Sequence, residues 1–583
     1  MDDEIKAEFA RNGFILDDEE KIISQCQAFC IQYKLSASDL VSSWEAYSLN
    51  WKLDLTVQSS HMGALLEQLQ SDQIDKVRGK DSDKHKYHEM PSDSLKKSNG
   101  SKLNSEKSLD SVTAFGLRKN KFIIQTMLNQ QPSTESIKVK EHNENSDDDI
   151  IARLQPSKRC HLRINTSQPE QGCRFMFDRL EDKFNYLESC IKRRASAYVS
   201  SGKYEEPVDP SVASQKSVFS VGMICCEEEG RLKDKPVLLQ SSVEHSGGQR
   251  VRLDLQKLDQ FSIFPGQVVA VEGHNPSGHR LIASKIIDYV PFSVTPPYST
   301  KRQALDHNHQ LTNPSHNMAE LSLIVAAGPF TTSDNLLFEP LTELLAYARR
   351  KQPQLLVLLG PFIDSDHPVL SKGFVDQTFD EMFHLQILEK LQDYVECMGS
   401  VARVILMPSI RDAHHDFVFP QPAFEIHPTY SSHQVVSICN PGVFCANEVN
   451  VACCTVDILK HLSAEEIFRN PPGESKQRLA NLAKHILSQQ SFYPLYPPAK
   501  EVPLDFSFAE KALRFSLIPD ILILPSDLAP FVKVLTVGGG DDAELKCICV
   551  NPGRLSRGEG GGFFVEINYN GNPEMSSASL IRI

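Results

Sequence analysis

The sequence lacks several features that would assign it to a common class of protein. No run of about 20 apolar residues is present, the length that a membrane-spanning helix requires. Positive charge is in the minority, with 61 Lys and Arg against 75 Asp and Glu and a net charge of −14. Because affinity for nucleic acid rises with the number of phosphates neutralised, this balance argues against binding chiefly through a basic surface. The first residues, Met-Asp-Asp-Glu-Ile, are acidic, unlike a secretory signal or a transit peptide.

Paired cysteines at zinc-binding spacing are also lacking. The 14 cysteines are scattered, and Cys547 and Cys549 form a C-x-C with no second pair beside it. We therefore expect no zinc finger, and we interpret the thiols as reduced, buried side chains of an intracellular protein. At 583 residues the chain is long enough for several domains, and 40% hydrophobic residues suffice for real cores.

Residues 1–75 carry apolar side chains at helical spacings, among them Ile5, Phe9, Ile22 and Trp44. This pattern predicts a compact bundle of about four short helices. Nothing in the segment looks catalytic, so we interpret it as an N-terminal docking domain.

Residues 76–157 are charged and polar, with too few apolar side chains to offset the entropy of ordering. This composition predicts a disordered linker. An island at 115–128 interrupts it. We interpret the island either as a short partner-binding segment that folds on contact or as a mildly apolar piece of linker.

Residues 158–300 are predicted to form a small barrel with a leading helix. In the predicted helix at 174–195, Leu180, Phe184, Leu187 and Ile191 share one face, which is expected to pack on the folded body. Five strands are predicted after it: Ser217–Cys226, Val237–Ser242, Arg250–Leu258, Gln267–Gly273 and Arg280–Ile287. Five strands in so short a stretch indicate a closed barrel of the OB type.

Some OB barrels bind single-stranded nucleic acid with aromatic side chains on a basic face. The aromatic side chains in these strands are few, namely Phe219, Phe261 and Phe264, and they suit a core equally well. A structural or protein-binding barrel is therefore the main interpretation, and single-strand binding stays an alternative.

Residues 301–583 alternate between strand and helix patterns, which predicts helices flanking a sheet. The predicted strands are Leu321–Ala327, Leu355–Leu359, Val401–Met407 and Asp520–Leu524, with a strand-rich stretch at 435–458; the predicted helices are 335–350, 379–397 and 476–489. The domain is predicted to end in a strand pair, Lys546–Asn551 and Gly562–Asn568.

Four strand ends in this domain have the spacing of a two-metal phosphoesterase, which needs carboxylate, amide and imidazole ligands from several loops. The calcineurin-like metallophosphoesterases place Asp-x-His, Gly-Asp-x-x-Asp, Gly-Asn-His-Asp and Gly-His-x-His there, and the sequence resembles them in layout only. The corresponding positions are Ala327, Pro329, Pro361, Ile410, Arg411, Ser526 and Leu528. Ala, Pro, Ile and Leu donate no lone pair to a cation, and Arg411 adds a permanent positive charge. Too few ligands remain for a closed site, so we predict no metal, no cofactor and no catalysis.

A cluster of acidic and imidazole side chains does remain near these strand ends: Asp364, Asp366, His367, Asp412, His414, His415 and Asp416. The cluster leaves open a relocated metal, and with it a working metallophosphoesterase with unorthodox ligands. Solvated loop residues and helix caps account for the cluster as well. We expect Arg411 to be buried and paired with a carboxylate, either Asp412 or Asp364.

Longer motifs resemble the B-subunit family of DNA polymerase alpha–primase, the accessory, second-largest subunit. They are Gly328-Pro-Phe-Thr-Thr-Ser-Asp334, Gly360-Pro-Phe-Ile-Asp364, Pro408-Ser-Ile-Arg-Asp-Ala-His-His415, Ser491-Phe-Tyr-Pro-Leu-Tyr-Pro-Pro498 and Cys549-Val-Asn-Pro-Gly-Arg-Leu555. The resemblance is close over 158–583 and holds in layout for the N-terminal part. It implies a multidomain α+β protein: an N-terminal helical bundle (1–75), a disordered linker (76–157), an OB-fold domain with a leading helix (158–300), and an α/β phosphoesterase-like sandwich lacking metal ligands (301–583).

The resemblance also implies a function. The implied function is that of a non-catalytic scaffold in the polymerase alpha–primase complex. That complex makes the RNA–DNA primers with which DNA replication begins. The implied partner is the catalytic subunit of DNA polymerase alpha, bound through its C-terminal zinc-binding domain, with the primase subunits joined indirectly. Other replisome proteins are expected to bind the N-terminal domain, DNA to be contacted only weakly or through the complex, and the location to be the nucleus. No membrane contact is expected.

Overall fold

The structure is a computed structural model. It describes residues 2–11, 14–33, 37, 40–41, 44, 56–58, 61–62, 65–66, 115–116, 118, 120–129, 160–165, 169–170, 172–226, 236–289, 320–373, 375–426, 433–469, 478–538 and 544–583. The chain forms two units, residues 1–111 and 112–583. Within the described ranges, no helix has the length and apolar character needed to cross a bilayer.

The first unit contains helices α1 (Asp2–Arg11) and α2 (Glu19–Tyr33) and two short parallel strands, β1 (Ile15–Leu16) and β2 (Thr56–Val57). Its core includes Ile5, Phe9, Ile22 and Trp44, as the helical spacing predicts. The Trp44 ring stacks on the His61 ring at 5.8 Å between centroids. The further helices of the predicted bundle fall largely outside the described residues and stay a prediction.

The second unit begins with a strand where a linker is predicted. Strand β3 (Ile123–Leu128), inside the 115–128 island, pairs antiparallel with β24 (Asn572–Arg582) at the edge of a seven-stranded sheet. The structure thus contradicts the interpretation of the island as a piece of linker, because it forms a strand on a sheet of the same chain. Binding to a separate partner stays a prediction. The rest of the predicted linker lies outside the described residues.

The predicted barrel is confirmed. Strands β5 (Ser214–Cys225), β6 (Leu238–Ser241), β7 (Arg250–Asp254), β9 (Val268–Asn275) and β10 (Arg280–Ile287) close in the order β10-β7-β6-β5-β9. Alternating side chains such as Val251 and Leu253 fill the barrel core. A one-turn helix, α4 (Val243–Ser246), links β6 to β7, and β8 (Phe261–Ile263) leaves the barrel to pair with β17 (Ile467–Arg469).

The leading helix α3 (Leu180–Ser200) packs on the body through the second half of the predicted face. Ile191 is buried and Leu187 packs against the same core, whereas Leu180 is 87% exposed and Phe184 is 51% exposed. The first turns instead contact the body through Tyr186, which packs on Phe506. Helical spacing identified an apolar face, and only the position of the neighbouring elements decides how much of that face is covered.

The rest of the unit is a four-layer sandwich. One sheet has the order β14-β13-β12-β11-β23-β24-β3, and a six-stranded sheet has the order β19-β20-β18-β16-β15-β4. The strands not yet bounded are β4 (Leu162–Ile164), β11 (Glu320–Ala327), β12 (Leu355–Leu359), β13 (Arg403–Met407), β14 (Val435–Ser437), β15 (Gly442–Ala446), β16 (Val449–Cys453), β18 (Ile521–Ile523), β19 (Phe531–Val537), β20 (Leu545–Asn551) and β23 (Phe563–Asn570), with a small hairpin of β21 (Ser556–Arg557) and β22 (Gly560–Gly561).

Helices cover the two outer faces of this sandwich. They are α5 (Glu339–Lys351), α6 (Pro368–Ser371), α7 (Phe379–Phe383), a π-helical turn (His384–Leu388), α8 (Glu389–Met398), a 3₁₀ turn (Gly399–Val401), α9 (Ile458–Glu465), α10 (Arg478–Gln489) and α11 (Phe506–Ala512). Along β11, Leu323 and Val325 enter the core between the sheets, while Ile324 and Ala326 face the α5 side. The buried strands thus lie between helices and a second sheet, whereas the sequence pattern predicted helices on both faces.

Two predicted assignments are wrong at the level of strand pairing. β4 lies within the predicted OB-fold range, but it pairs with β15 of the six-stranded sheet. β20 and β23, the predicted terminal strand pair, belong to different sheets: β20 lies between β18 and β19, and β23 between β11 and β24. Alternation within a strand shows that it is half-buried, but it carries no information about which strand lies beside it.

Candidate metal centre

Three of the four motif-bearing strand ends meet at one edge of the seven-stranded sheet. β11, β12 and β13 are parallel neighbours, and Ala327, Leu359 and Met407 are in register at their carboxyl ends. The loop after β18 supplies the fourth motif from the other sheet. Because the carboxyl ends of parallel strands are where α/β proteins hold ligands, this edge is the place to test for a metal centre.

At the first two strand ends, backbone and aromatic packing fill the space. An ideal Cβ on Gly328 would lie 1.9 Å from the Pro361 carbonyl oxygen, so only glycine allows the two loops to approach this closely. The rings of Phe330 and Phe362, one from each loop, stack at 5.1 Å between centroids. The repeated Gly-Pro-Phe motif therefore packs the loops after β11 and β12 against each other.

At the third strand end, Arg411 forms ion pairs with two acidic residues. Its Nε donates to Asp364 Oδ1 at 3.0 Å and lies 3.2 Å from Asp366 Oδ2, and a second nitrogen contacts Asp364 Oδ2. Burial lowers the pKa of the guanidinium, but the charges of Asp364 and Asp366 outweigh that effect and raise it. The expected pairing with Asp364 is confirmed, while the side chain is 33% exposed rather than fully buried.

Asp412, the other candidate partner of Arg411, has a different role. Its buried carboxylate accepts hydrogen bonds from the backbone N–H groups of Phe362, Ile363 and Ser409, the last at 2.8 Å. Burial raises the pKa of this carboxyl to about 7, against the opposing effect of these three donors. Asp412 thus joins the second and third loops to each other.

The fourth strand end carries a second ion-pair network, which the sequence did not reveal. Arg554 Nε donates to Asp527 Oδ1 at 2.9 Å, and Lys460 Nζ donates to the other Asp527 oxygen at 3.1 Å. Asp457 accepts from the Asp527 backbone N–H at 2.7 Å. Burial alone would raise the pKa of Asp527, but Arg554 and Lys460 hold it well below its usual range. The only signal in the sequence was the Asn-Pro-Gly-Arg-Leu motif around Arg554, which suggested a family and no role.

The remaining members of the acidic and imidazole cluster contact groups other than Arg411. His367 is buried and hydrogen-bonds the Thr332 carbonyl oxygen at 2.7 Å, and His415 bonds that of Pro422 at 2.9 Å. His414 lies between the rings of Phe383 and Phe424, at 4.2 and 5.0 Å between centroids. Asp416 is exposed. The structure therefore brings Asp364 and Asp366 together around Arg411, with Asp412 bridged to Asp364. His414 and His415 both pack on Phe424 instead.

These residues do not fit a divalent metal. Ala327 belongs to the core between the sheets, and Ile410 and Leu528 pack against the core under α9–α11. Ser526 is buried and accepts a hydrogen bond from the Leu528 backbone N–H at 3.1 Å. Across the described parts of the chain, no three His, Cys, Asp or Glu side chains converge as a metal site would require. The carboxylates that do converge are already neutralised by Arg411, Arg554 and Lys460.

The barrel aromatics form no exposed stacking surface. Phe264 is fully buried in the core under α9–α11, and Phe219 stacks on Tyr204 at 4.9 Å between centroids. Phe261 is partly covered by the Arg469 guanidinium, 5.2 Å above its ring. Single-strand binders stack bases on exposed rings, and these three rings are not available for it.

Three ranges of the chain match models of known protein families. Residues 323–533 match the family model that describes the B subunit of DNA polymerases alpha and epsilon. Residues 185–289 match the OB domain of the DNA polymerase alpha B subunit, and residues 3–70 match the N-terminal region of the same B subunit.

Individual relatives give the same result. The chain is 30% identical to the DNA polymerase alpha B subunit of Schizosaccharomyces pombe over 491 residues, which is 79% of this chain and 80% of the relative. It is 33% identical to the Mus musculus protein of the same name over 405 residues, covering 68% of this chain, and 27% identical to the Saccharomyces cerevisiae one over 401 residues, covering 60%. The matched part spans 62% of the mouse protein and 53% of the budding-yeast protein. The chain belongs to the B-subunit family of DNA polymerase alpha.

Proposed function

We propose that the chain is a non-catalytic scaffold subunit of the DNA polymerase alpha–primase complex. The observation that carries the proposal is the Arg411–Asp364 ion pair, which puts an internal cation at a strand end where a phosphoesterase would hold a metal. A permanently charged guanidinium beside the surviving carboxylates already neutralises them, as a divalent cation would. The degenerate positions Ala327, Pro329, Pro361, Ile410, Arg411, Ser526 and Leu528 then hold the loops together, Arg411 through ion pairs, Ser526 through a hydrogen bond and the others through packing.

The proposed partner is the catalytic subunit of DNA polymerase alpha, bound through its C-terminal zinc-binding domain. The primase subunits join the assembly through that partner, and the N-terminal domain (1–75) binds other replisome proteins. The complex supports primer synthesis at the start of DNA replication, in the nucleus. The proposed domain division is 1–75, 76–157, 158–300 and 301–583, amended by the sheet pairings of β3 and β4.

An exposed group of apolar side chains supports a protein partner on the second unit. Met176, Phe177, Leu180, Phe184 and Phe417 are all exposed, and together we name them the apolar strip. Two hydrogen bonds bring its two parts together, because the Met176 N–H donates to Asp505, and the Asp505 N–H donates to the Phe419 carbonyl oxygen. The strip joins the leading helix of the barrel to the loop after Arg411. Exposed apolar surface of this kind marks protein contact sites, and we assign it to the catalytic subunit.

The test is co-expression of the full chain with the catalytic subunit of the same organism, followed by size exclusion and metal analysis of the eluted complex. We expect a one-to-one complex whose metal content is accounted for by the partner alone. Obligate interfaces commonly bury more than about 2,000 Å² of surface, so the complex should survive dilution. Failure to co-elute would overturn the scaffold proposal, and metal bound by this chain alone would revive the phosphoesterase alternative.

A further inference from the structure

The segment around β3 lies between two stretches of chain that fall outside the described residues. Its described residues are Phe115, Gly116, Arg118 and 120–129, and we name them the clip segment. Strand β3 pairs antiparallel with β24, from Ile123 opposite Arg582 to Leu128 opposite Ala578. It is the outermost strand of the seven-stranded sheet, so the clip segment adds one strand to an existing edge.

The side chains of β3 contribute little to this attachment. Ile123, Ile124 and Met127 are each about half exposed, and only Leu128 is partly packed on the core between the sheets. Main-chain hydrogen bonds therefore supply the contact along the strand. Specificity has to come from the residues on either side of it, as in peptides that bind by strand addition.

The first anchor is Phe115, which is 1% exposed within the core beneath α5. The Arg118 guanidinium lies 3.4 Å above the Phe115 ring, and its Nε donates to the Ile583 carbonyl oxygen at 3.1 Å. Arg118 also forms an ion pair with Glu343 of α5. Arginine over an aromatic ring, with a carboxylate beside it, is a combination that lysine would not reproduce.

The second anchor is Phe122. Its ring stacks on Tyr347 at 4.9 Å between centroids and packs edge-on to Phe564 at 6.5 Å. Its backbone N–H donates to the Arg582 carbonyl oxygen at 2.8 Å. At the far end of the segment, Asn129 Nδ2 donates to the carbonyl oxygens of Glu574 and Ser576.

Glu343 is the electrostatic centre of the attachment, because it pairs with two cations of the clip segment. Besides Arg118, it accepts from Lys121 Nζ at 2.8 Å. One acidic side chain of the body thus faces two basic side chains of the segment. Two aromatic anchors seven residues apart, an arginine between them and a strand-forming tail define the ligand that this groove accepts.

We propose that the β24 edge, with the pockets for Phe115 and Phe122 and with Glu343, is a peptide-binding groove whose ligand in this chain is the clip segment, held reversibly. Its ligand class is an extended peptide with the pattern aromatic–x₂–Arg–x₃–aromatic. The proposal is independent of the scaffold function.

The test separates the ligand from the groove. The full chain carrying Phe115→Ala, Arg118→Ala and Phe122→Ala has an emptied groove, and the probe is a fluorescein-labelled peptide of residues 113–130. By fluorescence anisotropy we expect the emptied chain to bind the probe at least about tenfold more tightly than the wild type, where the tethered segment competes at high effective concentration.

Glu343→Gln in the emptied chain should weaken binding of the probe about tenfold. Asp393→Asn, at an exposed carboxylate of α8, is the control and should leave binding unchanged. Equal binding to wild-type and emptied chains, or none to the emptied chain, overturns the proposal.

A second measurement does not depend on the triple variant folding. In the otherwise unaltered chain, Glu343→Gln should speed amide hydrogen exchange in β3 at least about tenfold while exchange in β11 and β12 stays the same. A change spread over all three strands, or no change in β3, would show that the segment is a fixed part of the sheet and would sink the idea of reversible binding.

Discussion

The Arg411 guanidinium contacts both carboxylate oxygens of Asp364, and the two residues come from adjacent loops after β13 and β12. Asp364 lies in the Gly-Pro-Phe-Ile-Asp motif, at the position of the second aspartate of a phosphoesterase loop. In the phosphoesterase layout this carboxylate and its neighbours would neutralise metal ions. Here the neutralising charge is part of the chain itself, and the ion pair joins the two loops. Arg554 with Asp527 repeats the arrangement at the fourth strand end.

Removing the guanidinium should destabilise the fold. Arg411→Ala leaves the Asp364 carboxylate, only 6% exposed, without its counter-charge. Breaking a buried pair costs about 3–5 kcal/mol, and because Arg411 is one-third exposed we expect a smaller loss, about 1–3 kcal/mol, in the free energy of unfolding. Urea denaturation measures it. Asp366→Asn, at a side chain 72% exposed, is the matched control and should change stability by less than about 0.5 kcal/mol. An unchanged midpoint for Arg411→Ala would contradict the structural role.

The close approach of the first two loops predicts a large effect of one methyl group. In Gly328→Ala the new Cβ would collide with the Pro361 carbonyl oxygen, a backbone atom that cannot move aside. We expect a loss of about 3 kcal/mol, the upper part of the usual range for overpacking. Gly560→Ala is the control, because its Cβ would meet only the Arg557 carbonyl oxygen at 3.7 Å. Thermal melting of the two variants side by side checks the difference, and equal melting temperatures would refute the packing argument.

His414 predicts a loss of stability in mild acid. Burial lowers the pKa of its ring to about 3, from a value near 6.5 in the unfolded chain. Unfolding therefore takes up a proton between these values, and the free energy of unfolding falls as the pH is lowered from about 6.5 towards 3, by at most about 1.4 kcal/mol per unit. His414→Phe keeps the aromatic stack with Phe383 and Phe424 and should remove this contribution.

The measurement is urea unfolding of both proteins at several pH values, and the quantity to compare is their difference. Asp412 acts in the opposite sense: its pKa is raised to about 7, so its contribution is present below about pH 4 and is lost as the pH rises through 7. Because Asp412 is present in both proteins, its contribution cancels in the difference. A difference that does not vary between pH 6.5 and 4 would show that His414 does not titrate as the structure indicates.

The apolar strip predicts which surface variants weaken the proposed complex with the catalytic subunit. Leu180→Asp together with Phe184→Asp should reduce affinity at least about tenfold, since each side chain buries apolar area worth about 1.5–3 kcal/mol. The melting temperature should not fall, because both positions are exposed and an acidic residue in the first turn suits a helix N-terminus. Leu517→Asp, at another exposed leucine, is the control and should bind normally. Equal affinities of the two variants would remove the strip from the interface.

The barrel and the overall charge predict no strong binding to single-stranded DNA by the isolated chain. No exposed ring among Phe219, Phe261 and Phe264 offers a stacking platform, and the net charge of −14 repels phosphates. Anisotropy with a labelled oligonucleotide at low salt should show no saturable binding at micromolar protein. Salt-sensitive binding under these conditions would restore the single-strand alternative.

Much of the fold follows from local pattern. The apolar run at 355–359 forms the buried strand β12, and the alternating residues 250–254 form a barrel strand. The prediction that the ligand positions are replaced also came from the sequence, because the chemistry of a side chain is a property of the sequence. The pairing of strands could not be predicted from the sequence. β20 and β23 belong to two different sheets, and β3 pairs with a strand more than 400 residues away.

The sequence by itself determined which side chains stand at the strand ends and predicted that they hold no metal, and its motifs pointed to the family. Only the tertiary structure decided that Arg411 pairs with Asp364 while Asp412 binds the backbone, that Arg554 and Lys460 neutralise Asp527, and that Phe115 enters the core. The physical reason is that composition and periodicity act over a few residues. Ion pairs, sheet edges and aromatic contacts form between segments that are distant in the chain, and their geometry exists only once the sandwich has closed.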